Sequence, residues 1–388
     1  MTGERVYLDY NATAPVLPVA RDAALRAIDE IGNPSSVHAE GRAIRHIVEQ
    51  AREDVAALAG VSASQIVFTS GGTEAAILAL QPAATGAENL LLAGAGEHPC
   101  VLQGHGFASN LTKMVGLLAD GRLDLAALVS AIGDARGRPV TLALQAANNE
   151  TGVVQPLAEA AVLVRSGGGK IVCDGVQASG RLDIPELAAS ADLIALSSHK
   201  LGGIKGAGAL VASTGLPDPS AAILTGGGQE RGIRAGTENV PAIAAFGAAA
   251  RWAIDNRMAE VARLARIRDG FEEGLTERWP DTVIFGRLAP RLPNTSAFSI
   301  PGVAAETLLI ALDLAGIAVS SGSACSSGSV KSSHVLDAMG VEYNLARGAI
   351  RTSIGHQSSE DDIARLLLAL EQGLARMKSK EAGVLPAA

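Results

Sequence analysis

Short apolar runs alternate with longer amphipathic ones along most of the chain. Residues 65–69, 89–93, 141–145, 170–173, 193–196 and 209–211 are strand-length runs that end in polar or glycine-rich residues. Between them, apolar residues at helical spacing predict helices over 41–59, 73–80, 123–131 and 157–165. Strands separated by helices need crossover connections, so the pattern predicts an α/β fold: a largely parallel, twisted sheet covered by helices. A long helix over 252–279 then opens a second region. After it come a strand at 296–300, a helix at 305–314, strands near 318–319 and 349–353, and a closing helix over 359–378. The boundary between the two regions is expected near residue 250.

Composition narrows the class. At 388 residues the chain is long for one core, so two or three domains are expected. Apolar residues make up 48% and aromatics only 3%, so the core is built from Ala, Val, Leu and Ile. A formal net charge of -8 with no dense Lys/Arg block gives no nucleic-acid footprint. Cys100, Cys173 and Cys325 form neither a closed disulfide framework nor a metal-ligand spacing, so no metal site is expected and a reducing compartment is. The opening MTGERVYLDYNATAP does not read as a signal peptide, and no stretch approaches the ~20 apolar residues of a membrane span. A soluble cytoplasmic protein is the expectation.

The candidate chemistry sits at the ends of the apolar runs. In ADLIALSSHK a strand ends abruptly in Ser197, Ser198, His199 and Lys200. Ligands of open α/β sheets bind beyond the carboxyl ends of strands, so a lysine stands where a ligand belongs. Its amine can form a Schiff base with a carbonyl compound; a surface lysine ending a strand reads the same way. Lys205 is the rival, inside a glycine-rich turn. KIVCDGVQASG repeats the geometry, with Asp174 at the tip and Gln177 three residues on. A carboxylate there pairs with a pyridinium nitrogen, or caps the following turn. IVFTSGGTEAAILAL ends a strand at Thr69, passes Gly71 and Gly72, and opens a helix at Thr73, an arrangement suited to a phosphate. It is not a Walker sequence.

His98 in AGEHPC follows another strand and suits ring stacking, proton transfer or an ordinary loop. Asn148, Asn149 and Glu150 follow LALQ; amide donors there suit a phenolic oxygen or a tight turn. VSSGSACSSGSVKSS places Cys325 among serines and glycines, too poor in apolar side chains for a core element, so its thiol is expected to be accessible. Cys100 and Cys173 are expected to be packed small side chains. Arg351 in RGAIRTSIG wants a carboxylate, either that of an amino-acid substrate or that of an internal ion pair.

Ten pieces in order, from LDYNATAP through GNPSSVHAEGR, IVFTSGGTEA, GEHPCVL, NNETGVVQP, CDGVQASG, SSHKLGG, GGGQERGIRAGTENV and VSSGSACSSG to AIRTSIG, cover nearly the whole chain. Together they resemble the cysteine desulfurases of the NifS/IscS type, within the class V aminotransferase-like, fold type I pyridoxal-phosphate (PLP) enzymes. The resemblance implies a mostly parallel central sheet flanked by helices, with a smaller α/β C-terminal domain. Residues 1–15 would form an arm packing with the small domain, 16–250 the PLP-binding domain, and 251–378 the small domain with a cysteine loop at 320–333. Residues 379–388 would be a frayed tail.

It further implies that Lys200 holds PLP and moves protons, that Asp174 pairs with the ring nitrogen, and that Gln177 and Asn149 address the ring oxygen. His98 would stack on the ring and assist protonation. Gly72, Thr73, Ser197 and His199 would bind phosphate, with Thr237 reaching in from the other subunit of a homodimer. Asn11 and Arg351 would hold the carboxylate of L-cysteine. Cys325 would take its sulfur as a persulfide, release alanine, and pass the sulfur to an iron–sulfur scaffold or sulfur-carrier protein. A selenocysteine lyase or a class V aminotransferase would use the same cradle. Two departures touch neighbouring positions: Gln229 stands where a histidine is usual, and Ile204 where a proline is.

Overall fold

The computed structural model describes residues 5–321 and 333–381, with side chains to residue 377. Seven strands form the main sheet: β1 (Ile66–Thr69), β2 (Leu90–Gly94), β3 (Thr112–Val115), β4 (Val140–Gln145), β5 (Lys170–Asp174), β6 (Leu193–Ser197) and β7 (Gly208–Ala212). Their order is β1-β7-β6-β5-β4-β2-β3. β7 runs antiparallel to both its neighbours, and all other pairs are parallel. The strands are apolar runs because both faces of the sheet are covered. Alternation assigns the faces: Ile66 and Phe68 pack into one buried cluster, Val67 into the other.

On the first face lie α1 (Pro18–Asp29), α2 (Ala39–Ala59) and the start of a long helix; on the second lies α3 (Gly72–Ala79). The long helix, α4 (Val240–Arg278), starts well before the predicted residue 252. The Asn239 side chain accepts from the Ala242 amide, and Pro241 occupies the first turn, where its missing N–H costs nothing. The helix runs unbroken through residue 250. Its first half packs Ile243 and Phe246 on the main sheet, and its second half carries Ile267 and Phe271 into a separate core.

That second core lies on a small antiparallel sheet of β8 (Val283–Ile284), β9 (Thr295–Ser299), β10 (Ser320–Ser321) and β11 (Ile350–Ser353), in the order β10-β11-β9-β8. The helix Ala305–Leu314 and α5 (Glu360–Glu381) cover it. The N-terminal segment joins this unit: Val6 and Leu8 are buried in its core, and Val6–Tyr7 pairs in parallel with Ile317–Ala318. Among the described residues, no helix is long and apolar enough to cross a membrane, and no group of acids, histidines and cysteines could hold a metal ion.

Candidate active site

The carboxyl ends of β2, β4, β5 and β6 and the start of α3 open on one cavity of about 680 Å³. It is lined by Asn11, Gly72, Thr73, His98, Asn149, Asp174, Gln177, Ser197, His199, Lys200 and Arg351. Residues spread over 340 positions of sequence meet here because parallel strands deliver their tips to the same edge. Lys205 is exposed and outside the lining, so the strand-tip lysine is the one in the cavity. Thr237 is exposed and does not line this cavity. Cys325 lies outside the described residues.

Lys200 closes the short turn after β6. Its Nζ donates to the carbonyl oxygens of Asn11 and, at 3.0 Å, Ala12. Burial pushes its pKa down from 10.5 to about 8, and the like charges of Arg351 and Arg181 push the same way against Asp174 and Asp9. Burial raises the Asp174 carboxyl above its ordinary value, opposed by the Val176 amide (2.9 Å to Oδ1) and by the positive charge of His98 and Lys200. The His98 Nδ1 accepts from the Cys100 amide at 3.2 Å, which leaves Nε2 to carry the proton of the neutral ring. Burial lowers the pKa of His98, and takes that of His199 down to about 4.

α3 begins at Gly72, and no side chain caps its first turn. A Cβ on Gly72 would lie 2.6 Å from Val176 Cγ2 and 3.2 Å from Ser197 Cβ, so only glycine lets this turn sit against the β6 tip. Arg351, buried on β11, pairs with Asp9 at 2.6 Å and donates to the Asn149 carbonyl at 3.0 Å, while its Nε has no partner among the described residues. The internal ion pair that its sequence also suggested is therefore present. The Asn11 side chain is fully engaged: Nδ2 donates to the Asn149 carbonyl and to Thr295 Oγ1, and Oδ1 accepts from Asn294. What Asn11 turns toward Lys200 and Gln177 is its backbone carbonyl.

Several lining residues were not foreseen. Cys100 packs against the second core as expected and also lines the cavity, where burial and the charges of Asp174 and Glu97 raise its thiol pKa to about 12. Cys173 is buried inside β5 as expected. Glu150 is buried with its pKa raised to about 7 and takes a 2.5 Å hydrogen bond from Ser333 Oγ. His334 Nε2 donates to the Glu97 carbonyl at 2.9 Å. Ser333 and His334 come from beyond residue 332, and nothing in local spacing links them to Glu150 or Glu97.

A neutralisable amine facing a buried carboxylate, beside an uncapped helix start, suits a phosphorylated carbonyl cofactor. Residues 6–366 match the family described as Aminotransferase class-V, and the chain belongs to that family of pyridoxal-phosphate enzymes. A cysteine desulfurase of Cereibacter sphaeroides is 40% identical over 94% of this chain and 94% of its own length. One from Sinorhizobium fredii is 40% identical over 93% and 94%. A solved NifS-like protein of Rickettsia africae superposes with a TM-score of 0.86 at 32% identity, covering 96% of this chain and 100% of its own. Within the family this chain is a cysteine desulfurase.

The residues present fit the cofactor. Uncapped amides of α3 with Thr73, Ser197 and His199 nearby make an anion cradle, pressed close by the absence of a side chain on Gly72. Asp174 offers a carboxylate whose burial a pyridinium would offset, and Lys200 offers an amine already biased toward its neutral form.

Proposed function

We propose that the chain takes sulfur from L-cysteine, releases alanine and loads the sulfur on Cys325 as a persulfide, with Lys200 as the cofactor lysine. The observation that carries this reading is the meeting of Lys200, Asp174, His98, the α3 start and Arg351 in one cavity. Gly72, Thr73, Ser197 and His199 hold the phosphate, Asp174 the ring nitrogen, Gln177 and Asn149 the ring oxygen, and His98 stacks on the ring. Arg351, kept in place by Asp9, holds the substrate carboxylate, and Asn11 joins it by exchanging one of the hydrogen bonds that its Nδ2 now makes. Bound there, PLP supplies an electron sink for the charge left when a proton leaves the substrate Cα.

Lys200 Nζ takes and returns that proton, which an amine with a pKa of about 8 does readily near neutrality. His98 delivers protons from Nε2. Cys325 forms its S–S bond as the Cβ–S bond of the substrate breaks, so cysteine and thiol become alanine and persulfide without an outside oxidant or reductant. Ser321 and Ser333, on either side of the segment that carries Cys325, both line the cavity, which supports its access to the sulfur. The working unit is a homodimer in which Thr237 of a second copy completes the phosphate site; exposed Ile31, Val37 and Met258 offer apolar surface for it. The enzyme acts in the cytoplasm, and the persulfide passes to an iron–sulfur scaffold or sulfur-carrier protein.

Cysteine turnover by wild type, Lys200→Ala and Cys325→Ala tests the assignment. Wild type yields alanine and, with a thiol reductant, sulfide; Lys200→Ala yields neither. Cys325→Ala still binds PLP and fails to release alanine. Normal turnover by Cys325→Ala would refute its role.

A further inference from the structure

Arg181 has no part in the chemistry above, yet it lies against the site. It follows Gly180 in the turn after β5 and is 8% exposed. Its Nη1 donates to the Gln177 carbonyl at 3.1 Å and to Gln177 Oε1 at 2.6 Å. Among the described residues no carboxylate pairs with it, and burial together with Arg351 brings its pKa down to about 10. The acids that act on Lys200 are engaged elsewhere, Asp9 with Arg351 at 2.6 Å and Asp174 with the Val176 amide at 2.9 Å. A buried guanidinium without a counter-ion is costly, so a fold that keeps one has a use for the charge or for the fork.

The fork has a visible effect. With Oε1 of Gln177 occupied by Arg181, the amide must turn its NH2 the other way, where it donates to the Asn11 carbonyl at 3.1 Å, the acceptor that Lys200 Nζ also uses. Gln177 thus faces the cavity as a donor and not as an acceptor. The charge acts on Lys200, which is also faced by Arg351 on β11, Asp9 in the N-terminal segment, Asp174 on β5 and His98 after β2.

We propose that Arg181 is a positioning residue: it locks the Gln177 amide with its NH2 toward the cofactor's phenolic oxygen, and its fixed charge keeps the Lys200 amine neutral enough to capture the cofactor. This rests on the assignment of Lys200 and Gln177 made above.

The test is the pH dependence of cofactor reloading. Wild type, Arg181→Met, Arg181→Lys and Lys200→Ala are stripped of PLP, and the growth of the visible absorption band on adding PLP is timed between pH 6 and 10. Arg181→Met moves the midpoint of the rate profile upward by about half to one unit, so the rate at pH 7 falls roughly three- to tenfold. Arg181→Lys, which keeps the charge, stays near the wild-type midpoint. An unmoved midpoint in Arg181→Met overturns the proposal, as does a midpoint equally displaced in Arg181→Lys, which would trace the effect to packing. Should Arg181→Met not fold, Arg181→Gln carries the same comparison. A visible band in Lys200→Ala removes the lysine assignment itself, a failure distinct from that of Arg181.

Discussion

Lys200 is an amine held out of water, with Arg351 and Arg181 acting on it against Asp174 and Asp9, and before cofactor capture its burial is a liability of the folded state. Its pKa falls from 10.5 unfolded to about 8 folded. Above pH 10.5 the amine is neutral in both states and nothing is lost. As the pH falls from 10.5 toward about 8, the unfolded chain takes up a proton that the folded amine does not, so the penalty accumulates across that window and is complete below about 8. Lys200→Met therefore raises the melting temperature of the cofactor-free protein at pH 7, by the equivalent of about 1–3 kcal/mol, and the gain shrinks as the pH climbs toward 10. Thermal unfolding across that range checks it; a gain that does not vary with pH would place its origin in packing. The thiols behave oppositely: burial favours the protonated form of Cys100 and Cys173, which is consistent with the proposal that Cys325 is the nucleophile.

At the scale of elements, α3 is where backbone and cofactor chemistry meet. A Cβ on Gly72 meets Val176 Cγ2 at 2.6 Å, whereas one on Gly71 meets nothing within 4 Å, and the Gly71 φ of 166° is extended backbone open to any residue. Gly72→Ala thus shifts the helix start off the β6 tip and weakens PLP binding at least tenfold, about 1.4 kcal/mol, while Gly71→Ala stays near wild type in an absorbance titration. The strands that present this chemistry were legible in the sequence because each is an apolar run, buried on both faces, with a polar tip. β3 was not: it is an edge strand whose Lys113 and Met114 are exposed, so no apolar run marks it. α1 escaped notice because its buried face is alanine, Ala20, Ala24 and Ala27, which declares little periodicity. The early start of α4 is hidden likewise behind Pro241 and small residues. Lys200, Asp174 and the α3 start announce themselves at strand ends. The Asp9–Arg351 and Glu150–Ser333 pairs do not, since their partners are far apart in sequence and only the tertiary fold joins them.

Over the whole molecule, besides the hydrogen bonds of Arg351, Ser333 and His334, two stretches of chain tie the C-terminal unit to the main sheet across the cavity. One is α4, which belongs to both cores. The other is the N-terminal segment, anchored by Leu8 in the C-terminal core and ending with Asn11 against Lys200 and Gln177. Leu8→Ala, at a side chain with no exposed surface, costs about 2–5 kcal/mol in chemical denaturation. It also speeds PLP loss from the folded protein, because the segment that carries Asn11 is less firmly anchored; a variant that unfolds more easily but keeps its cofactor as long as wild type would separate the two effects.

The same segment sets a timetable for maturation. Residues 6–11 leave the ribosome long before Ile317, Arg351 and Ser353, to which they pair or bond. The nascent chain can assemble the main sheet while translation continues, but Val6–Tyr7 waits unpaired and the wall of the cavity stays open until β11 has emerged. Capture of the cofactor by a complete site thus waits for β11, and a product truncated before it lacks Arg351 and the bonds of Ser353 that hold the N-terminal segment.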